Sequence, residues 1–397
     1  MKIVFLQRPT GDTHWGGDLM VLQNFCQGLL KLGHKAKIVR EIEDALDADF
    51  VFLSNVCMDL RPYTYLLNLT EKKFGVIGFY EDILQYHSPS RGFYHYVRNI
   101  LSEEEDLGYT FSVDRLVENP ELIYYYPEIP KKCFFINYDV LQRANLFIAS
   151  SPTEVKTLLR DCSTCRAQHI LFKQNFSQIT DSSVFLDFTN LKSKEYILQV
   201  GRFEHRKNQL ATILATRDLD IPLVFIATKH FKQEESYLVD SMKAILKWRK
   251  APTIIVSENI QDHEEGNLRI LQMPNATKLS EEMLTSAFFH AGLYVHPAFY
   301  ELPGSVYLEA ARLGTPVVAS KWTAIRDYFT DEETGRYLLD DRIEYALPYD
   351  IRCLTELIQK KFGKRYSVDP DYPIFRRENT DMAKELLKFI KPILDHE

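Results

Sequence analysis

The chain has 397 residues, 45% of them hydrophobic and 26% charged, and carries a formal net charge of −7. That length exceeds one ordinary core and points to two domains. The composition is that of a soluble globular protein, and the acidic balance argues against a nucleic-acid binder, which carries a basic stripe. No apolar run approaches the roughly 20 residues of a membrane span, and the apolar part of MKIVFLQRPTG is too brief for a signal peptide, so a cytoplasmic location is the default expectation.

From the N-terminus, strand and helix patterns alternate, which predicts a parallel α/β architecture. KIVFLQ (2–7) reads as a buried strand; after the turn RPTGDTHWGGD, the spacing of LMVLQNFCQGLLKLG predicts a helix closed by Gly33. AKIVR, DFVFLS and FGVIGFY read as further strands. Residues 81–140 are less regular and unusually aromatic, with YHSPSRGFYHYVRN and ELIYYYPEIPKKCFF. Strand ANLFIASS (145–151), a helix starting near Pro152 and HILFKQN (169–175) follow. The polar stretch 176–194 marks a domain boundary, giving a first domain over 1–180 and a second over 190–370. The second series runs EYILQVG, a helix from about Lys207, PLVFIAT, a helix near 235–249, TIIVSE, LRILQM, a helix near 280–291, LYVHPA, another helix and PVVAS. A last helix near 377–393 is expected to return to the first domain.

Among six cysteines, only Cys162 and Cys165 have suggestive spacing. A structural zinc would want a second ligand pair, and a thioredoxin-type site would open a helix after a first strand, so this pair reads as incidental reduced thiols.

The densest chemistry lies in HPAFYELPGSVYLEAARLGTPVVAS (296–320). Its helix has the apolar stripe Val306, Ala310 and Leu313, with Glu309 at the edge, where an ionised carboxylate needs donors. A sugar diol supplies two. Glu301 precedes the helix in a loop tightened by Pro303 and Gly304, which leaves the amides of Gly304, Ser305 and Val306 as an anion cradle at a helix start. The plain alternative is a surface loop with a salt-bridged glutamate. In YILQVGRFEHRKNQL (196–210), Arg202 and Lys207 emerge at the carboxyl end of a strand, where open α/β sheets place ligands, and two cations there suit a diphosphate. His205 and Arg206 read as solvent-facing.

VGRFEHRKNQ resembles the Gly-Arg…Lys-Asn phosphate loop of retaining glycosyltransferases of family 4. The 296–320 segment resembles that family's two glutamates separated by seven residues, followed by Gly-x-Pro-Val-Val. The likeness is dense over about 195–320 and looser in WGGDLMVLQNFCQGLLKLGHKAKIV. It implies the GT-B fold, two Rossmann-like domains facing each other across a cleft, with the donor nucleotide held mainly by the second. It further implies that Arg202 and Lys207 hold the donor diphosphate, Glu309 the ribose hydroxyls, Glu301 the donor sugar, and Gly304, Ser305 and Val306 the phosphate or sugar. Gly16 and Gly17 would let the first domain's backbone approach the diphosphate. Alone, GDTHWGGD matches neither a dinucleotide fingerprint nor a Walker loop.

The implied reaction is retaining, hexosyltransferase-type transfer from a nucleotide sugar, a UDP-sugar by expectation, to a saccharide or lipid-linked saccharide in polysaccharide biosynthesis. Fixed cations on the leaving diphosphate would be the main lever; no Asp-x-Asp motif for a metal is present, so neither metal nor cofactor is expected. One departure concerns the His-Asp-type pair that many relatives carry after the fourth strand. Here that strand runs into Tyr80, Glu81 and Asp82, with His87 five residues later. Asp82, Glu81 or His87 would take the catalytic place, or Glu81 and Asp82 simply cap a helix.

The aromatic segment stacks on a glycan, lies at a membrane surface beside a lipid-linked acceptor, or packs internally. KAILKWRK (243–250) reads as a solvated helix face. Two other functions stay open: another GT-B enzyme such as a nucleotide-sugar epimerase, and a non-catalytic nucleotide-sugar-binding protein.

Overall fold

The computed structural model describes residues 1–8, 16–56, 59–102, 111–125, 137–174, 182–227, 235–273, 280–302, 304–329, 342–366 and 373–395. The chain folds as two compact units, Met1–Asp82 with Lys131–Asn175 and Pro370–Glu397, and Ile83–Pro130 with Phe176–Asp369. The boundary expected near residue 180 therefore gives way to an earlier crossing at Asp82, and residues 83–130 group with the second unit. Residues 175–181, at the expected linker, lie outside the described residues.

The first unit opens with β1 (Lys2–Leu6), α1 (Gly17–Lys31), β2 (Lys35–Val39), β3 (Phe50–Ser54), α2 (Arg61–Leu69) and β4 (Phe74–Ile77). The chain then supplies α3 (Ile83–Ser102) and α4 (Val113–Glu118) to the second unit. It returns with α5 (Tyr138–Arg143), β5 (Leu146–Ala149), α6 (Pro152–Asp161) and β6 (Ala167–His169). The strands form a parallel sheet ordered β2-β1-β3-β4-β5-β6. β3, FVFLS, is buried throughout because helices cover both faces of such a sheet, so its apolar run is continuous rather than alternating. The order turns back on itself between β1 and β3, the switch point at which doubly wound sheets open a crevice.

The second unit continues with α7 (Val184–Thr189), β7 (Ile197–Val200), α8 (Gln209–Ala215), β8 (Leu223–Ile226), α9 (Glu235–Trp248), β9 (Thr253–Ser257), β10 (His263–Glu265) and β11 (Leu268–Gln272). Then come α10 (Glu281–His290), β12 (Leu293–His296), α11 (Ser305–Arg312), β13 (Val317–Ser320), β14 (Ile343–Ala346) and α12 (Ile351–Lys361). Its sheet runs β10-β11-β9-β8-β7-β12-β13-β14, with β10 alone antiparallel among the described strands. The switch point falls between β7 and β12, and the two motifs of the sequence follow those two strands directly.

α13 (Pro373–Arg376) and α14 (Asn379–Asp395) close the chain. Met382, Leu386 and Ile390 of α14 share a core cluster with Leu22, Phe25 and Leu29 of α1 and Phe5 and Phe52 of the sheet. The helices touch so closely that a Cβ on Gly28 would stand 2.1 Å from the Asn379 carbonyl oxygen.

α3 explains the early crossing. Phe93, Tyr94 and Tyr96 are buried, Tyr86 stacks on Tyr300 with ring centroids 5.1 Å apart, and Phe93 tilts against Phe299 at 5.9 Å. The Tyr94 hydroxyl donates to Asp240 Oδ2 at 2.8 Å, on α9. These four aromatics are core, so no glycan or membrane surface meets them; Tyr124 and Tyr125 of the same segment are exposed, and residues 103–110 and 126–136 lie outside the described residues.

Two smaller expectations change. Cys162 and Cys165 form a disulfide, their Cα atoms 5.7 Å apart, within the span such a bond bridges. Cys162 caps α6 just after its last residue, and the turn in which the Cys165 amide donates to the Cys162 carbonyl brings the thiols together. In KAILKWRK, Lys243, Lys247 and Lys250 are exposed but Arg249 is buried. Its guanidinium donates to Thr253 Oγ1 and to the carbonyls of Thr216 and Ile221, a strut across the strand ends.

Candidate active site

Burial decides which cation matters. The turn after β7 carries Arg202 outward, its side chain 45% exposed and 3.8 Å from Glu204, whereas Lys207 folds inward with 11% exposure. Lys207 Nζ pairs with Glu301 Oε2, from the loop after β12. The loops are fastened by backbone and amide: Asn208, left-handed at the start of α8, donates to the Pro297 carbonyl at 2.9 Å and the Pro348 carbonyl at 2.6 Å. Phe299 N donates to the Arg206 carbonyl at 2.8 Å.

Burial alone would raise the Glu301 carboxyl, but the Lys207 charge, the His296 side chain and Arg206 overcome it and hold the group well below the usual carboxylate range. Burial lowers Lys207, opposed by Glu301. His296, fully buried at the end of β12, sits with Nε2 3.9 Å from Glu301 Oε2, and burial disfavours its protonation. Arg206, expected in solvent, has a side chain only 20% exposed, paired with Glu204 at 3.1 Å. The charges at the switch point are therefore Lys207, Glu301, Arg206 and Glu204, with His296 beside Glu301.

Glu309 lies on α11, half-buried, and no hydrogen bond or ion pair engages its carboxylate among the described residues. Burial, with help from Glu281, pushes its pKa up to about 7. Gly304 caps α11 with φ 81°, a conformation glycine adopts without strain, and a Cβ there would come within 2.9 Å of the Tyr307 ring. Ser305 and Val306 open the helix, so their amides have no intrahelical acceptor. Pro303 lies outside the described residues.

In the first unit, Gly16 caps α1 and Gly17 begins it; residues 9–15 of the same turn lie outside the described residues. A Cβ on Gly16 would approach Asp18 Oδ1 to 2.7 Å, while one on Gly17 would meet nothing within 4 Å. Asp18 is clamped by Arg8 Nε at 2.6 Å and Asn55 Nδ2 at 3.2 Å, at the β1/β3 switch point. Asp82 is buried and doubly bonded to Arg160, through Nη1 at 2.8 Å and Nη2 at 3.1 Å, so its carboxylate is committed to holding the chain where it leaves β4. His87 lies half-buried in the first turns of α3, in the second unit.

Beneath the β4 exit lies a group that sequence reasoning missed. Glu154, fully buried in the first turn of α6, accepts from the Tyr80 amide at 2.8 Å, the Ser150 amide at 2.6 Å and the Ser150 hydroxyl at 2.7 Å. It shapes the loop in which Phe79 takes φ 70°. Burial pushes its pKa up to about 7 against those donors. The Ser-x-x-Glu spacing at 151–154 signals a helix start, but not that the carboxylate reaches a different strand.

A family model described as glycosyl transferases group 1 matches residues 222–354. That span holds Glu301 and Glu309 and leaves out Arg202 and Lys207. Among solved structures, a sucrose-phosphate synthase from Thermosynechococcus elongatus aligns over 100% of both chains at 13% identity, TM-score 0.62. Anabaena HepE, solved with UDP-glucose, aligns over 99% of this chain and 100% of its own at 14% identity, TM-score 0.62. The lipopolysaccharide outer core galactosyltransferase WaaB aligns over 99% and 100% at 12% identity, TM-score 0.54. No curated protein matches the sequence significantly.

The fold is GT-B. That likeness is one of architecture, and the chemistry rests on this chain's own residues. No group of three or more metal-ligating side chains occurs among the described residues, and no helix there is long and apolar enough to cross a membrane.

Proposed function

We propose that the protein is a retaining glycosyltransferase of family 4 that moves a sugar from a UDP-sugar to a saccharide, or a lipid-linked saccharide, during polysaccharide assembly. The observation that carries this reading is the Lys207–Glu301 pair at the β7/β12 switch point, beside an uncommitted carboxylate on α11. Cleaving a glycosyl–phosphate bond leaves negative charge on the diphosphate, which Lys207 and Arg206 neutralise without a metal, with Arg202 reaching in from the rim. The free amides of α11 add dipolar stabilisation on the same side. Glu301, held ionised, accepts hydrogen bonds from donor-sugar hydroxyls. Glu309 accepts from the ribose diol, which supplies the donors its burial demands. HepE's complex with UDP-glucose supports a UDP-sugar as the donor to try first.

The Asp82–Arg160 bond counts against Asp82 and leaves His87, on α3 of the second unit, as the candidate for the catalytic place. Sugar transfer by His87→Ala and Asp82→Asn variants separates these roles.

The test incubates the protein with UDP-glucose, UDP-galactose and other nucleotide sugars, with and without saccharide acceptors, and follows release of free nucleotide. Release stimulated by one acceptor supports transfer. Tight donor binding without turnover supports a binding protein instead, and interconversion of the donor sugar supports an epimerase.

A further inference from the structure

His296 ends β12 with 0% exposure, and its Nε2 has no hydrogen-bond partner. A fully buried polar atom left unsatisfied is costly, so a fold keeps one only for a reason. The surrounding bonds define which nitrogen carries the proton. Gln199 Nε2 donates to the Lys207 carbonyl at 2.9 Å, and a carbonyl can only accept. The Gln199 amide therefore cannot be turned round, and its oxygen is taken by the Thr212 hydroxyl at 2.6 Å. The same amide nitrogen lies 3.3 Å from His296 Nδ1, so Nδ1 must accept. A neutral imidazole has one N–H, and here it is on Nε2. That hydrogen lies on the side of Glu301 Oε2, 3.9 Å away, the same oxygen that Lys207 grips.

We infer that His296 is a positioning residue for Glu301: a neutral, Nε2-protonated imidazole set by Gln199, poised 3.9 Å from the carboxylate to become its second donor when Lys207 turns toward a diphosphate. The inference rests on the proposed sugar transfer for its purpose. A lysine that turns part of its charge to a diphosphate gives up some of its hold on Glu301. His296 then keeps the carboxylate ionised and aimed at the sugar, while the Tyr307 hydroxyl, donating to the His296 carbonyl at 2.8 Å, fixes the ring's backbone to α11.

Two measurements test this. In the full-length protein with 15N-labelled histidine, a long-range proton–nitrogen spectrum, assigned with a His296→Gln variant, should show Nδ1 bare and Nε2 protonated throughout pH 6–8. An Nδ1–H tautomer, or an imidazolium in that range, overturns the assignment. This arm needs no turnover, so a wild-type protein that transfers no sugar sinks the functional reading while leaving the tautomer decidable. In the kinetic arm, His296→Met removes the donor and should lower kcat/KM for the UDP-sugar about tenfold, with affinity for UDP, which lacks the sugar, unchanged. His296→Gln, whose amide nitrogen reaches the same place, should recover most of the loss. Equal rates in all three proteins, or UDP affinity falling in step with kcat/KM in His296→Met, overturns the positioning role.

Discussion

Lys207 and Glu301 each depend on the other for being buried while charged. Removing one leaves an uncompensated ion, so Lys207→Met should cost about 3–5 kcal/mol in chemical denaturation. Adding Glu301→Gln should restore much of that stability, because an uncharged pair no longer needs compensation. Turnover should not return with it: loss of a preorganised charge-stabilising group lowers rates by roughly 10²-fold or more. A double variant as active as wild type would remove the pair from the chemistry. Glu309 behaves oppositely. Its folded-state pKa of about 7 lies above the ordinary 4.5, so the folded protein holds this proton more tightly than the unfolded chain. The carboxyl is then neutral in its effect below about pH 4.5 and destabilising as pH rises through 7. Glu309→Gln should match wild type near pH 4 and exceed it by roughly 1–3 kcal/mol at pH 8, while binding UDP more weakly. Equal melting temperatures at both pH values would show that Glu309 is not strained, and unchanged UDP affinity would remove it from the donor site.

At the scale of elements, the two exits that shape each unit are held by buried side chains reaching across chain segments. Glu154 bonds the β4 exit to the β5 exit, and Asn208 ties the loops after β7 and β12. Glu154→Ala should leave the Tyr80 and Ser150 amides without acceptors, at about 1–3 kcal/mol for each buried group. Equilibrium unfolding measures the loss, and faster amide exchange at residues 79–82 should accompany it. A variant within 0.5 kcal/mol of wild type, about the size of an ordinary surface change, would mean that Phe79 holds its left-handed conformation by other means. Sequence signals found the strands and helices well because they are local. FVFLS reads as a buried strand on its own, and PTEVKTLLRD opens with a serine cap and a proline. They failed where an apolar surface could be satisfied by either of two partners. α3 displays its tyrosines and phenylalanines identically whether it covers one sheet or the other, and only its packing on Phe299 and Tyr300 decides.

For the whole molecule, a ligand that binds the folded state raises apparent stability by about 2.7 kcal/mol at a hundredfold excess over its Kd. UDP should therefore raise the melting temperature of the wild-type protein and fail to do so in Lys207→Ala. A shift of equal size in both proteins would place nucleotide binding away from the β7/β12 switch point.

The sequence by itself determined the alternation of strand and helix, the two α/β series and the pairing of a cationic turn with an acid-flanked helix, since each is written in spacing a few residues long. Tertiary structure alone decided that Lys207 is buried and Arg202 exposed, that Asp82 is spent on Arg160, and that His296 and Arg206 stand with Glu301. The reason is physical. A charged side chain takes its role from desolvation and from partners nearly a hundred residues away in the chain, and neither leaves a mark on the local pattern.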